Sequence, residues 1–396
     1  MSSFKVRTLL ATLACATTLL PAASMSLSPV QASTPAETTS PSPRAVGMKA
    51  TGVLNLRPAI SQPGKRPATS LAKTQALAVF SDTRTGQGVA LQRHRGSGWE
   101  TISRSTQHRS GSTSFTLPDT TSLYRAVALS RAGAAVATTN TVRGRTFTTI
   151  FKDEFAGTKV DFSKWSDQKT LAPAYMRMCS RLSPRARDVS DGVLRMGVAA
   201  DSSRAGTPCQ WSLNGQSGTH PYMWNTQLYT GGKFDFTYGY AAARMKMHLD
   251  KGMHASFWLQ PANWYTPGQP AKGTEIDVAE FFGRTKKDSN IGAFVHWYDT
   301  GNVHHKLGGK FPYANTLKAR AETWSNSYHV FSVEWTKDAY IFRVDGREFF
   351  RETQIVSQSP EYLLLSMLTS DYELEKLTPS TMRQRAQVDW VRVWSR

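Results

Sequence analysis

The chain has 396 residues, which is enough for two domains, and it carries a formal net charge of +19. Beyond an N-terminal apolar run, no stretch is apolar for long enough to span a membrane, and the three cysteines show no metal-binding spacing. A membrane-spanning protein and a cysteine-based zinc protein are therefore excluded.

The N-terminal residues predict an exported protein. Lys5 and Arg7 precede an apolar run at 9–20, and small residues follow. This order is typical of a secretory signal peptide, which we assign to 1–32, with cleavage near Ala23 or Ala32. Residues 33–47 are rich in Ser, Thr and Pro and predict a linker. We expect a monomer that is secreted, either extracellular or associated with a cell wall.

Residues 48–147, the front module, predict a small β-sandwich of the immunoglobulin or fibronectin type. Seven short alternating runs are separated by turn residues. They lie at 53–57, 74–80, 88–92, 99–103, 112–117, 123–129 and 139–142. Trp99 and Tyr124 are expected in the core. Because the module has no acidic cluster, we expect a spacer or a wall-binding domain rather than a catalytic one.

Most of the positive charge lies in this front part of the chain. Residues 31–145 contain 15 Lys and Arg against 4 Asp and Glu. Two interpretations stay open: the module binds a cell wall or another anionic polymer, or the charge only maintains solubility. The basic residues are scattered and match no nucleic-acid fold, so no nucleic-acid partner is expected.

The cysteines fit an oxidising compartment. Cys15 lies inside the signal peptide, which leaves Cys179 and Cys209 in the mature chain. One disulfide between them is expected, and two separate buried thiols are the alternative.

Residues 148–396 predict an all-β domain of two large antiparallel sheets packed face to face, with the inner sheet curved. Their central feature is the acidic segment 273–283, GTEIDVAEFFG. In a flat strand, Glu280 would point away from Glu275 and Asp277. A β-bulge at Val278 or Ala279 turns all three to one face. A helix fits less well, because positions five apart diverge by about 140°.

A row of carboxylates on a concave sheet predicts a glycosidase. Retaining glycosidases hold two carboxyl groups about 5 to 5.5 Å apart. The alternative is an acidic strand edge that faces solvent. The apolar, aromatic runs at 254–260 and 291–297 predict buried neighbouring strands, which favours a sugar-binding cleft over an edge.

In these motifs and their order, residues 148–396 resemble glycoside hydrolase family 16, jelly-roll enzymes that cut β-glucans and galactans. Besides the acidic segment, the matching motifs are 151–158 (FKDEFAGT), 164–165 (KW), 192–195 (GVLR), 232–239 (GKFDFTYG), 243–246 (ARMK), 257–259 (FWL), 328–335 (YHVFSVEW) and 388–393 (VDWVRV). The E-x-D-x-x-E spacing is similar to the bulged subgroup, which contains laminarinases and agarases, rather than to the unbulged lichenases.

The resemblance implies a retaining mechanism without a cofactor. Glu275 is the implied nucleophile and Glu280 the implied acid and base, while Asp277 orients Glu275. Two like charges close together push their proton affinities apart, which suits these opposite roles.

The resemblance also implies roles for three other residues. Asn225 resembles an Asn that donates to the sugar beside the nucleophile. Arg244 sits where the family places a cleft arginine, and an outer-face arginine is the alternative. Asp389 resembles an aspartate that holds a structural calcium in some members. One carboxylate is a poor calcium site, so a strand-end aspartate bonded to backbone amides is the alternative.

Four residues near the acids are candidates for binding sugar. Trp258, Trp297 and Trp264 are expected to stack on sugar rings, with core positions as the alternative. His296 is expected either to hydrogen-bond the substrate or the acids, or to be structural.

The predicted activity is endo-hydrolysis of a polysaccharide, with β-1,3-glucan as the substrate that the resemblance implies. The alternatives are a galactanase of the agarase or carrageenase kind, a wall transglycosylase and a carbohydrate-binding protein. Binding-only relatives usually lack one acid, and this chain has all three.

Overall fold

The computed structural model describes residues 52–59, 74–81, 84–108, 111–167, 177–213, 215–263, 265–284, 291–311, 317 and 321–395. The predicted signal peptide and linker lie outside these residues, as does Trp264. All the described residues belong to one compact unit, Met48–Arg396. Within them, no helix has the length and apolar character required to cross a membrane.

The described residues of the front module form eight strands. They are β1 Gly52–Arg57, β2 Gln75–Phe80, β3 Gly88–Arg95, β4 Gly98–Thr106, β5 Ser112–Thr116, β6 Leu123–Leu129, β7 Ala135–Thr138 and β8 Val142–Arg143. One sheet has the order β1-β2-β5, and the other has the order β4-β3-β6-β7 with β8 also paired to β6. The first six predicted runs coincide with strands.

The seventh predicted run, 139–142, is not one continuous strand: Thr139 forms only an isolated bridge with Gly52, and β8 begins at Val142. Asn140 explains the gap. Its side-chain oxygen accepts from Leu54 N at 2.8 Å, and its amide donates to Leu54 O at 3.4 Å. A side chain therefore replaces a strand residue as the partner of β1.

The two aromatic residues of the front module differ in burial. Tyr124 is fully buried, as expected, and its hydroxyl donates to Asp119 O at 3.0 Å. Trp99 is only partly buried, and the Arg125 guanidinium lies 4.3 Å from its ring centroid. The expectation of a core position was wrong for Trp99.

The larger part of the structure contains nineteen strands. They are β9 Thr148–Asp153, β10 Ser166–Asp167, β11 Ser180–Leu182, β12 Arg187–Ser190, β13 Val193–Met196, β14 Ala199–Ala200, β15 Pro208–Leu213, β16 Gln216–Pro221, β17 Met223–Tyr229, β18 Gly239–Lys246, β19 Met253–Pro261, β20 Glu275–Phe281, β21 Ile291–Tyr298, β22 His304–Lys310, β23 His329–Trp335, β24 Tyr340–Val344, β25 Arg347–Glu352, β26 Glu361–Thr369 and β27 Ala386–Ser395.

These strands make two packed sheets and one hairpin. The nine-stranded sheet has the order β10-β17-β26-β19-β20-β21-β22, with β11 and β14 on β17. The eight-stranded sheet has the order β12-β13-β27-β18-β23-β24-β25, with β9 on β27, and β15 pairs with β16 alone. Apolar side chains of both sheets, such as Phe257 and Phe331, share one core. The arrangement confirms the predicted all-β jelly-roll sandwich.

The predicted disulfide is confirmed. Cys179 and Cys209 are bonded, with their Cα atoms 5.6 Å apart. The bond ties the residues just before β11 to β15.

Alternation along β19 defines which face of the nine-stranded sheet is the core. Met253, Ala255, Phe257 and Leu259 are fully buried in the core between the sheets. The intervening residues 254, 256, 258 and 260 therefore lie on the opposite face. This second face carries the candidate site.

The front module shares a hydrophobic cluster with the eight-stranded sheet. Tyr240 and Trp394, from β18 and β27, belong to the same buried cluster as Leu54, Phe80 and Phe115. The predicted boundary at 147 therefore lies between two parts that pack together through apolar side chains.

Candidate active site

The acidic segment forms β20 and contains the expected bulge. Asp277 pairs with Phe294 of β21, whereas Glu280 pairs with Gly292. Residues 278–279 therefore stand together against one residue of β21, which is the definition of a β-bulge.

The bulge lets the apolar residues of β20 face the core while its acids face the opposite side of the sheet. Ile276 and Phe281 both enter the core, although their separation of five residues would send them to opposite faces of a regular strand. With one extra residue between them, Glu275, Asp277 and Glu280 all turn to the other face. Three carboxylates thus lie in a row on one side of the sheet.

Glu275 is held by neutral hydrogen-bond donors. Its Oε2 accepts from Gln260 Nε2 and from the Tyr265 hydroxyl, each at 3.2 Å. Gln260 is itself fixed by the Tyr362 hydroxyl, which donates to its Oε1 at 2.9 Å. Burial, together with the negative charge of Asp277, raises the pKa of Glu275 to about 7.

Asp277 lies against a pair of histidines. Its Oδ2 is 2.9 Å from His296 Nε2, and His296 Nδ1 is 2.8 Å from His304 Nε2. The two imidazole rings stack with centroids 5.0 Å apart. Burial, and then the negative charge of Glu280, raises the pKa of Asp277 well above its usual value.

Glu280 is held by cationic and imidazole groups. His254 Nε2 lies 2.9 Å from its Oε1, and Lys306 Nζ lies 3.6 Å from its Oε2. Burial by itself raises the pKa of Glu280, but the His254 hydrogen bond and the charges of His254 and Lys306 outweigh burial and lower it to about 2. Of the three acids, Glu280 is therefore the one whose surroundings most favour the ionised form.

Among the described residues, one group of three potential metal ligands lies close together. Ligand atoms of Glu275, Asp277 and His296 are all within 4.8 Å of one another. Because two of these are carboxylates of the row, an ion bound here would occupy the groups that face the substrate.

Two predicted binding residues lie on the same face as the acids. Trp258 is half-buried, pairs with Asp277, and donates from Nε1 to Ser366 Oγ at 3.2 Å. His296 lies beside Asp277, as described above. Trp297, by contrast, alternates to the face opposite His296 and stacks on His305, with ring centroids 5.2 Å apart. The structure therefore corrects its predicted place in the cleft.

The structure also corrects the role implied for Asn225. Its side chain is 1% exposed, and its amide group is occupied inside the protein. Nδ2 donates to Ser180 Oγ at 2.7 Å, and Oδ1 accepts from Thr369 N at 3.1 Å. Asn225 fastens β17 to its neighbours β11 and β26, which removes it as a donor to sugar.

Arg244 and Asp389 bind each other. Arg244 lies on β18 and Asp389 on β27, both in the eight-stranded sheet, which does not contain the acids. The Nη1 of Arg244 donates to Asp389 Oδ2 at 2.5 Å, and both side chains are about 95% buried. This pair corrects the cleft role predicted for Arg244 and takes one of the two oxygens that Asp389 would offer to calcium.

Four contacting residues were missed by sequence reasoning. The sequence could have indicated His254 and Gln260, because they alternate with Trp258 along β19 and therefore lie on the same face of the sheet. Tyr265 follows the loop after β19, and Lys306 lies on β22, whose sequence HHKLGGK shows no clear strand pattern. No sequence signal pointed to these last two.

Several proteins of known function are similar to this chain. Glucan endo-1,3-beta-glucosidase A1 of Niallia circulans is 26% identical over 270 residues, which cover 62% of this chain and 37% of that protein. Endo-1,3-1,4-beta-glycanase ExsH of Rhizobium meliloti (strain 1021) is 30% identical over 181 residues, 45% of this chain and 33% of that protein. The chain thus spans about a third of the length of these relatives.

A solved structure is also similar. The laminarinase catalytic domain from Thermotoga maritima MSB8, in complex with cetyltrimethylammonium bromide, is 20% identical, with a TM-score of 0.49. The match covers 64% of this chain and 99% of that domain.

The family comparison covers more than half of the chain. Residues 148–396 match the family model described as Beta-porphyranase A-D, GH16 domain. This range contains both large sheets and the whole row of acids. The chain therefore belongs to glycoside hydrolase family 16.

Proposed function

We propose that the protein is an endo-β-glycanase that hydrolyses internal bonds of a polysaccharide with retention of configuration. The observation that carries this proposal is the bulge at 278–279, which brings Glu275, Asp277 and Glu280 to one face of the sheet. Two carboxyl groups on one cleft wall are what a double displacement at an anomeric carbon requires.

In the proposed reaction, Glu275 attacks the anomeric carbon while Glu280 gives its proton to the departing sugar oxygen. The glycosidic C–O bond breaks and a glycosyl-enzyme ester forms. Glu280, now a carboxylate, takes a proton from water, and the resulting hydroxide attacks the same carbon. The ester bond to Glu275 then breaks, and both carboxyl groups return to their initial states.

The surroundings of the two acids impose a condition on these roles. They favour the protonated form of Glu275 and the ionised form of Glu280, whereas the first step needs the reverse. The reactive form, with its proton on Glu280, is therefore the less populated one of the pair. The rival assignment exchanges the two roles.

Azide distinguishes the two assignments, because it takes over the role of the carboxylate that an Ala substitution removes. With an aryl glycoside of reactive leaving group, Glu280→Ala plus azide should give a glycosyl azide of retained configuration. Glu275→Ala plus azide should give the inverted azide, because azide then attacks directly in place of the nucleophile. The opposite pairing would show that Glu280 is the nucleophile.

We propose β-1,3-glucan as the substrate, which the names of the two relatives and the bulged spacing support. A sulfated galactan is the second candidate. It is supported by the porphyranase description of the family model and by Lys306, a half-exposed cation beside the acids.

The test is reducing-sugar release from laminarin, mixed-linkage glucan, agarose, porphyran and carrageenan, with Glu275→Gln beside the wild type. We expect activity on laminarin and a loss of at least about 10³-fold in the variant, since each carboxylate is essential to the double displacement. Activity that survives in Glu275→Gln contradicts the assignment of the site. Activity on porphyran alone would favour the second candidate, a sulfated galactan, as the substrate.

We further propose that the protein is exported and that its front module is immunoglobulin-like. The disulfide supports an oxidising compartment. The Tyr124 hydroxyl bonds to the backbone five residues upstream, which resembles the tyrosine corner of immunoglobulin-like sandwiches. Mass spectrometry of protein collected from the culture medium would detect a mature N-terminus near residue 24 or 33 if the signal peptide is cleaved as predicted.

A further inference from the structure

Glu280 differs from the other two acids in having a separate partner on each oxygen. His254, from β19, approaches Oε1 at 2.9 Å, and Lys306, from the edge strand β22, approaches Oε2 at 3.6 Å. The donors to Glu275, in contrast, are the neutral groups of Gln260 and Tyr265. The sheet thus brings positive charge to one end of the row.

His254 is oriented as a donor to Glu280. Arg177 Nη2 lies 3.3 Å from His254 Nδ1, and since a guanidinium only donates, Nδ1 is the accepting nitrogen. The N–H of the neutral ring is then on Nε2, where Glu280 Oε1 and the Ser256 hydroxyl oxygen each lie at 2.9 Å. Phe282 stacks on the imidazole at 3.9 Å, and Asp371 lies 3.9 Å from Arg177 Nη1. Contacts on three sides fix the ring.

Lys306 is held in a different way. Its ammonium lies 3.6 Å from the centroid of the Phe294 ring, a cation–π contact, while 42% of the side chain is exposed. Since the residue is half-exposed, it can be changed without opening a cavity in the core.

We propose that His254 and Lys306 are positioning residues that hold Glu280 as a carboxylate and so set the pH at which it takes up its proton. This rests on the proposed function, in which Glu280 acts first as an acid and then as a base. Groups that favour the anion limit the acid step at high pH, and they assist the second step, in which Glu280 accepts a proton from water.

Three other titratable groups face Glu280. Glu275 and Asp277 on its own strand favour its protonated form, and His296 on β21 favours the anion when charged. The Lys306 ammonium also lowers the pKa of Asp277 and of His296. The effect of a Lys306 variant must therefore be followed at the Glu280 carboxyl group itself.

The experiment uses Lys306→Met, the charge-retaining Lys306→Arg and a matched control, Lys152→Met. Lys152 is exposed on β9, in the sheet that does not carry the acids. One measurement is the pH dependence of kcat/KM. The other needs no substrate: carboxyl carbon-13 NMR titration of the full chain labelled at glutamate, with the Glu280 signal assigned by its absence in Glu280→Gln.

In Lys306→Met we expect Glu280 to titrate at least about one pH unit higher, because an opposite charge at this distance favours the ionised form. Because Glu280 titrates below Glu275, the acidic limb of kcat/KM should move upward with it, and kcat/KM between the two limbs should rise about tenfold, since more of the protein then holds its proton on Glu280. Lys306→Arg and Lys152→Met should both titrate like the wild type. His254→Leu should also raise the pH at which Glu280 titrates. If this change of a buried residue prevents folding, the Lys306 variants alone provide the test.

An unchanged Glu280 titration in Lys306→Met overturns the proposal, including the case in which kcat falls equally at every pH. If the Glu280 titration moves in Lys306→Met but the wild type is inactive on every polysaccharide, the positioning roles of His254 and Lys306 are supported. Only the proposed function is then contradicted. If the titration and the acidic limb move while kcat/KM between the two limbs stays unchanged, the positioning role stands and Glu280 is the nucleophile.

Discussion

The Tyr265 hydroxyl is one of two donors to Glu275, and its removal tests how the nucleophile is kept ionised. A hydrogen bond to a carboxylate favours the anion and lowers its pKa. In Tyr265→Phe the pKa of Glu275 should therefore rise above its value of about 7. Because the reaction needs ionised Glu275 together with protonated Glu280, whose pKa is the lower of the two, kcat/KM should fall about tenfold or more at pH 6, while the basic limb moves to higher pH and the loss disappears above it.

The same pH profile of Tyr372→Phe provides the control, because Tyr372 is 65% exposed and its hydroxyl is remote from the row in sequence and element. A basic limb that stays in place in Tyr265→Phe would mean that this hydroxyl does not support the anion. A fall in kcat/KM of the same size at every pH would assign Tyr265 to substrate binding.

At the scale of the strand, the bulge predicts the effect of deleting Ala279. Removing Ala279 leaves Ile276 and Phe281 an even number of positions apart, so both still reach the core of a regular strand. The fold should therefore survive with Glu280 still opposite Gly292, since the bulge already sets two residues against one of β21, but loss of the bulge removes the local bend of β20 and redirects the Glu280 side chain. Misplacement of a catalytic group by about 1 Å can cost 10²-fold, so kcat/KM should fall at least that far.

Thermal melting and kinetics of the Ala279 deletion would be compared with those of a deletion of Ala132, in the exposed turn after β6. The expected result is two folded proteins, of which only the first is impaired. Wild-type kcat/KM in the Ala279 deletion would show that the bulge does not position Glu280 for the reaction. Loss of folding would show that β20 does not pair correctly without the bulge.

The bulge was predictable from the sequence because two local patterns conflict there. The apolar residues and the acids each alternate, and only one extra residue lets both patterns hold in the same strand. Arg244 and Asp389 could not be predicted in the same way. They are 145 residues apart, and nothing local indicates that one neutralises the other. Lys306 was missed because its glycine-containing edge strand has little apolar patterning.

At the scale of the whole molecule, the sequence predicted two modules but not their shared core. Trp394 and Tyr240 have the spacing of ordinary sheet residues, and nothing local shows that they face another module. In the structure both are at most 1% exposed and cluster with Leu54 and Phe80 of the front module. Arg57, on β1, is also only 2% exposed. A freely hinged spacer would leave such residues in contact with water.

Apolar packing between the modules predicts that they unfold together. Calorimetry of the full chain should show one main transition, because melting of the front module alone would expose Tyr240 and Trp394 to water. Trp394→Ala should cost about 3 to 5 kcal/mol through the cavity it leaves, and should separate the transition into two. Val53→Ala, at a residue 49% exposed on β1, is the matched control and should leave one transition. Two independent transitions in the wild type would mean that the modules are coupled only by the chain between them. The front module would then be a hinged spacer or wall-binding domain.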